Sequence, residues 1–259
     1  MENEYNSYFG KAYRFITFEG LFNTIESESL RFIRTDKFND PLDCSPFILP
    51  FEWEMYDTYA GEFFCQFVST YGFNQIFKPL YICCFCKEYK TKDSYLMWSH
   101  YGESHSQVCF EIDFSVNKYL GGPSEVTYFE NLIKAREYIE ESNKHEKGLY
   151  AVTSKSSLWS YEKEVRLIVD IIRSLSKESE RFKLNDNAEY LFVEFDLKYI
   201  TKVIFGINAS LTNELKTRNM FANKGFSPLF EKMYIDPKKL NLDSKPYNFQ
   251  GIPSYLDIR

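Results

Sequence analysis

The chain carries no glycine-rich phosphate loop, no Gly-x-Gly-x-x-Gly fingerprint, no Gly-x-Ser-x-Gly elbow and no His-Glu-x-x-His helix. Those absences remove the commonest motif-bearing NTPases, dinucleotide oxidoreductases, serine hydrolases and zinc proteases. Positive charge is also in deficit: 31 lysines and arginines face 37 acids, for a net charge of −6 and a pI near 5.3. The two signs are mixed along the chain, without the basic stripe of a duplex-binding protein. Duplex nucleic acid is therefore not the expected partner, although a small basic pocket could still take a nucleotide. No apolar run approaches the ~20 residues that span a bilayer, so no membrane segment is expected. Met1-Glu2-Asn3-Glu4 has neither a basic nor an apolar leader region. The expectation is a cytoplasmic protein with reduced thiols.

Six cysteines are present, and three of them crowd the run Tyr81-Ile82-Cys83-Cys84-Phe85-Cys86. That run has the composition of a buried strand, where thiols behave as small hydrophobes. Cys83-x-x-Cys86 with His100 and His105 has the spacing of a metal site. Strand geometry sends Cys83 and Cys86 to opposite faces, so no metal is expected.

What the chain has in quantity is apolar and aromatic side chains, at 44% and 19% of 259 residues. This is enough for one sizeable core, or a core with a helical insertion. Residues 12–16 and 30–35 alternate as strands around a helix that Thr17 caps and that ends near Glu28. Asn39-Asp40-Pro41 is a turn, because Pro41 pushes Asp40 out of the helical region and Asn39 can bond its own backbone. Residues 51–77 carry aromatics at helical spacing and predict a long helix or helical pair between the second and third strands. Residues 94–102 form a short helix with Ser94 as N-cap and Gly102 just past its end. A strand over 108–114, a short strand over 125–128 and a charged helix over 131–147 follow, then an irregular stretch over 149–158. Residues 173–187 are a polar loop or frayed helix. Strands over 189–195 and 200–205, a helix over 211–223 capped by Ser210 or Thr212, and a strand over 228–235 complete the core. The tail from Asp236 is expected to be extended, wrapping or partly mobile. The fold class is α+β: a single domain over 1–259, core 12–235, with a mixed or largely antiparallel sheet.

The stretch Trp159-Ser160-Tyr161-Glu162-Lys163-Glu164-Val165-Arg166-Leu167-Ile168-Val169-Asp170 is the focus of the functional question. Val165, Leu167 and Val169 share one face of a strand, and Ile168 points to the other. Glu162, Glu164 and Arg166 share that second face, with Trp159 and Tyr161 as an apolar wall. A charge cluster at a strand mouth is either a site or a salt bridge. Sequence geometry leaves both open.

Several motifs stand in a fixed order: Tyr13-Arg14-Phe15, Phe38-Asn39-Asp40-Pro41-Leu42-Asp43, Met97-Trp98-Ser99-His100-Tyr101-Gly102 with His105, the Trp159–Arg166 stretch, and Val203-Ile204-Phe205-Gly206. The set, spanning residues 13–235, resembles the bacterial domain-of-unknown-function family 2971. Members are single-domain bacterial proteins, some associated with defence against phage. The order Arg, Ser, Glu-x-Glu also resembles the arginine–serine–glutamate arrangement of ADP-ribosyltransferases. That resemblance implies NAD as substrate, with Arg14 on its phosphates, Ser99 steadying the nicotinamide ribose, Glu164 stabilising the oxocarbenium-like charge and Glu162 activating an acceptor. Ser99 and His100 join the two glutamates as catalytic candidates. Tyr13, Trp98, Tyr101, Arg166, Asn39 and Asp40 join Arg14 as cofactor-binding candidates. Two other classes compete. One is a non-catalytic module binding a small ligand or a protein, with its charges paired off and no open pocket. The other is a metal-dependent nuclease drawing on His100, His105, Asp40, Asp43 and Glu164.

Overall fold

Seven consecutive residues, Leu80–Cys86, carry no charge and no small polar side chain. A strand of this kind must be covered on both faces, and that requirement sets the architecture. The computed structural model describes residues 8–45, 48, 80–91, 94–116, 122–141, 147–171, 179–239, 241–247 and 249. The helical insertion expected over 51–77 lies outside the described residues, as does Cys65.

Strand β1 (Lys11–Ile16) leads into helix α1 (Phe18–Ser27). Thr17 caps that helix by accepting from the Gly20 N–H, and Glu28 ends it in the left-handed region at φ 47°. Strands β2 (Ser29–Arg34) and β3 (Leu80–Cys86), helix α2 (Ser94–His100) and strand β4 (Val108–Asp113) follow. Next come β5 (Ser124–Glu125), β6 (Thr127–Phe129), α3 (Leu132–Glu141) and α4 (Lys147–Val152). Then β7 (Ser154–Ser156), a 3-10 turn over Ser157–Glu162, and β8 (Glu164–Asp170) build the central stretch. Strands β9 (Phe182–Leu184), β10 (Tyr190–Glu194) and β11 (Ile200–Phe205), helix α5 (Leu211–Asn223), and strands β12 (Leu229–Asp236) and β13 (Asn241–Pro246) complete the described elements. Ser210 caps α5, its side chain accepting from the Asn213 N–H.

The main sheet runs β13-β12-β11-β4-β1-β3-β2-β10-β9, with β8 on β3 and β5 on β8. Its pairs are antiparallel except β11–β12, which α5 connects in parallel. The class is α+β, as the sequence implies. The alternation of β3 divides the core. Tyr81, Cys83 and Phe85 join the larger cluster under α1 and α5, while Leu80 and Ile82 face Ala135 and Ile139 of α3 and Ala151 and Val152 of α4. Trp98 of α2 covers the remainder of that second face with Tyr89, Cys109 and Ile204.

Several expectations need correction. The stretch 149–158 is not irregular: it holds the end of α4 and all of β7. The charged helix is described over Leu132–Glu141, and the rest of its expected span up to residue 146 lies outside the described residues. Within 173–187, β9 pairs with β10. The described part of the tail is extended, as expected, and is an ordered strand: β13 pairs with β12 from Glu231↔Pro246 to Asp236↔Asn241. Gly102 is not a left-handed cap; the left-handed residues are Glu103, Ser104 and His105. Gly102 is small because a Cβ would lie 2.6 Å from the Trp98 carbonyl oxygen.

Strand β3 also splits the sheet. One edge carries β8 through seven pairs, and the other is shared by β1 at Tyr13↔Cys86 and β2 at Ile33↔Ile82 and Arg34↔Tyr81. Arg14 fills the fork. Its Nη1 donates to Cys83 Sγ at 2.7 Å and its Nη2 to the Arg31 carbonyl at 2.9 Å, and the guanidinium lies 5.8 Å from the Phe85 ring. Replacing Arg14 by Met removes both bonds while keeping the aliphatic stem. The expected loss is about 1–3 kcal/mol in urea unfolding, as for bonds made by a charged donor.

Candidate functional site

The hexapeptide Phe38–Asp43 is a hook. Asp40 Oδ1 accepts from the Leu42 N–H at 2.9 Å and its carbonyl from the Asp43 N–H at 3.1 Å, so the turn aims Asp43 inward. There Asp43 meets Arg166 through two parallel bonds, Nη1 to Oδ1 at 2.9 Å and Nη2 to Oδ2 at 2.6 Å. The other side of the guanidinium grips Glu164, Nε to Oε1 at 2.7 Å and Nη2 to Oε2 at 2.9 Å. Nη1 also donates to the Val152 carbonyl at 2.7 Å, and Phe38 lies 5.3 Å beneath the guanidinium carbon. All five N–H donors of a wholly buried arginine are thereby used.

Lys155 of β7 supplies the second cation. Its Nζ donates to Glu162 Oε2 at 2.6 Å and Glu164 Oε2 at 3.0 Å, and lies 3.3 Å from Asp43 Oδ2. The ammonium is also 5.2 Å from the Trp159 ring. Tyr101, at the end of α2, donates its hydroxyl to Glu162 Oε1 at 2.6 Å. Glu162 ends the 3-10 turn and Lys163 turns the chain through φ 45° before β8 begins at Glu164. The sequence reading puts the two glutamates on one strand face, but only Glu164 lies on the strand. They meet because both reach Lys155.

Three carboxylates face two cations, which leaves one negative charge in excess. The environment places the consequence on Glu162: burial raises its carboxyl above the ordinary range, and the neighbouring Glu164 charge adds to this against the pull of Lys155. Glu164 goes the other way. Burial opposes its ionisation, but Arg166 and Lys155 outweigh it and bring the carboxyl down to about 2. Burial likewise opposes the charge on Lys155, and Glu164, Asp43 and Glu162 together hold it above its usual range. Cys44 and Cys84 border the network, and burial keeps both as thiols.

The sequence-derived candidates divide. Glu162, Glu164, Arg166 and Tyr101 come together. His100 stands at the rim, exposed, with Nδ1 3.1 Å from the Tyr161 hydroxyl. Asn39 and Asp40 belong to the hook. Arg14 does not join: it bonds Cys83, whereas Glu164 and Arg166 pair across from Cys86 and Cys84 on the opposite face of the sheet. Trp98 is fully buried with its indole N–H on the Tyr89 carbonyl, and Tyr13 packs 4.5 Å from the Tyr89 ring. Ser99 turns away to His105, 3.3 Å from Oγ to Nε2. The residue that sequence reasoning missed is Lys155. Its only signal was its closeness in sequence to Glu162 and Glu164. Asp43 was weighed as a metal ligand. In the structure it pairs with Arg166, and the Lys155 ammonium occupies the centre of the three carboxylates. Among the described residues, no group of three or more His, Cys, Asp or Glu side chains is placed to hold a metal.

Beside Lys155 lies a cavity of about 140 Å³, lined by Leu42, Ile48, Phe129, Leu132 and Ala135, with Glu130, Asn131, Ser154 and Ser156 at its polar side. The fold and site together define an α+β protein with a buried ion network flanked by a small, mainly apolar cavity. No family model, curated protein or solved structure matches the chain. The resemblance to family 2971 thus rests on the quoted motifs. No described helix is long and apolar enough to cross a membrane.

Two measurements probe the network. Arg166→Met strands two buried carboxylates and is expected to cost about 3–5 kcal/mol in chemical unfolding. Titration separates the glutamates. Glu164, at about 2 when folded against 4.5 ordinarily, contributes stability that is complete above pH 4.5 and lost as pH falls from there towards 2. That contribution is about 3 kcal/mol at neutral pH. Glu162, held above 4.5, binds its proton more tightly when folded, so acidification from neutral pH towards 4.5 adds stability. Unfolding free energy measured across this range should rise and then fall, and Glu162→Gln should remove only the rise.

Proposed function

We propose that this protein is a ligand-binding module whose ion network is the scaffold and whose cavity beside Lys155 is the recognition site; its charges pair off as that class requires, but it has a pocket where none is expected. The observation that carries this reading is saturation. Glu164 accepts from Arg166 at both oxygens and from Lys155, which leaves it committed to the scaffold rather than to a ribose hydroxyl. The phosphate-holding arginine implied by the transferase resemblance is likewise committed, to the fork between β1 and β2. The cavity, at about 140 Å³, is close to the ~150 Å³ engineered cavity that accepts benzene, so a single planar ring fits it. Asn131 Oδ1 accepts from the Lys134 N–H, and Ser156 Oγ accepts from the Leu158 N–H. That leaves the Asn131 amide and the Ser156 hydroxyl to donate to ring substituents. A nucleobase or the nicotinamide end of a nucleotide has the required shape and acceptors.

A second reading is favoured by one observation, the opposite displacement of the two glutamates. A carboxyl that holds its proton more tightly than usual, beside one held ionised, matches the usual division of acid and base roles. In that reading Glu162, not Glu164, donates a proton in NAD glycosidic cleavage, and the rim of His100, Tyr161 and Trp159 receives the substrate.

Calorimetric titration with NAD and nicotinamide, paired with an assay for free nicotinamide, distinguishes the two. The binding reading expects saturable heat without nicotinamide release, weakened at least ~10-fold in Ala135→Leu, which fills the cavity. Release that vanishes in Glu162→Gln would establish the enzymatic reading in its place. Absence of both heat and release at millimolar ligand would refute the ligand class.

A further inference from the structure

A different pair of residues, remote from the ion network in its bonding, has the elements of a nucleophile and its base. Ser99 lies in the last turn of α2 with its side chain exposed, and its Oγ is 3.3 Å from His105 Nε2. The other nitrogen of that ring, Nδ1, is buried and has no hydrogen-bond partner among the described residues. Polar atoms left in that condition are rare and call for an explanation. Burial holds the imidazole below its usual range, which favours the neutral ring, and in the tautomer protonated at Nδ1 the Nε2 atom accepts from Ser99.

The backbone that presents His105 is strained. Glu103, Ser104 and His105 are successive non-glycine residues in the left-handed region, at φ 43°, 54° and 66°. Such conformations persist only where the surroundings impose them, and they cluster at functional sites. Here the turn after β11 imposes them. The Asn208 N–H donates to the His105 carbonyl and the Gly206 N–H to the Gln107 carbonyl, both at 2.9 Å. Asn208 Nδ2 donates to the Ser104 carbonyl at 3.1 Å. Any side chain at Gly206 would collide with the His105 carbonyl. The ring itself is clamped, stacked at 14° on Trp98 and edge-on to Tyr95. The imidazole thus has one nitrogen sealed inside and the other fixed on a solvent-facing serine hydroxyl.

We propose that Ser99 is a nucleophile with His105 as its general base, and that the pair hydrolyses small, uncharged acyl esters. Ser99 Oγ bonds to the acyl carbon as its proton passes to His105 Nε2. The ester C–O bond then breaks, and the alkoxide leaves with that proton. Water repeats the sequence: its proton goes to Nε2, its oxygen bonds the acyl carbon, and the carboxylic acid departs as Ser99 recovers its hydrogen.

The test uses the full chain with a fluorophosphonate probe, peptide mapping of the adduct, and p-nitrophenyl acetate turnover. The expected result is one adduct at Ser99, absent in Ser99→Ala, with a rate at least ~100-fold lower in His105→Asn. Asparagine is chosen because it tolerates the left-handed conformation. No adduct, an adduct elsewhere, or unchanged labelling in His105→Asn would overturn the proposal. Should His105→Asn fail to fold, the pH profile of wild-type labelling decides. A rate that is level above pH 6.5 and falls below it supports His105 as the base, and a rate climbing with hydroxide to pH 9 overturns it.

Discussion

The double grip of Arg166 on Asp43 and Glu164 is the constraint on which this region of the structure depends. A guanidinium taken out of water is costly unless every donor finds an acceptor. Meeting that condition recruits three separate pieces of chain. The hook supplies Asp43, β8 supplies Glu164, the end of α4 supplies the Val152 carbonyl, and Phe38 lies beneath the plane. Lys155 extends the same logic to β7 and to the 3-10 turn that ends at Glu162. The network specifies how α4, β7 and the hook sit on the second face of the sheet, where apolar contacts alone would tolerate sliding.

The same accounting weighs on function. A buried carboxylate can serve catalysis only if some of its bonding capacity is free for a substrate. Glu164 has little left, while Glu162 shares its oxygens with Tyr101 and Lys155 and holds its proton more tightly. The two-sided sheet weighs on function as well. Arg14 on β1 and Glu164 on β8 both flank β3, yet their side chains lie on opposite faces of the sheet. The consecutive thiols of β3 show this directly, Cys83 touching Arg14 and Cys84 lying against the ion network.

Much of the fold was legible in the sequence. The ends of α5, the capping of α1 by Thr17 and the alternation Val165, Leu167, Val169 against Ile168 all follow from local propensity and period, and all are found. Local rules failed where a segment's conformation is decided by a distant partner. β7 lacks a strand's apolar alternation and forms beside β6 around a buried lysine. β13 lies in a proline-bearing tail whose backbone is satisfied only by pairing with β12. Gly102 has the expected position for a left-handed cap, but close packing on Trp98 claims it. The left-handed run falls to three residues that the β11 turn pins in place.

The sequence by itself determined the α+β class, the strand that must be buried on both faces and the cluster of Glu162, Glu164 and Arg166 as the place to look. Those features are written in composition and period, which act over a few residues. Only the tertiary structure decided which charges meet. It brought Asp43 and Lys155 into the cluster, removed Arg14 to the other face, separated Trp98 and Ser99 from it, and set Ser99 against His105. Ion pairing in a buried site depends on how chain segments meet in space, across 123 residues for Asp43 and Arg166 and around a turn for Lys155 and Glu162, and no local pattern encodes that meeting.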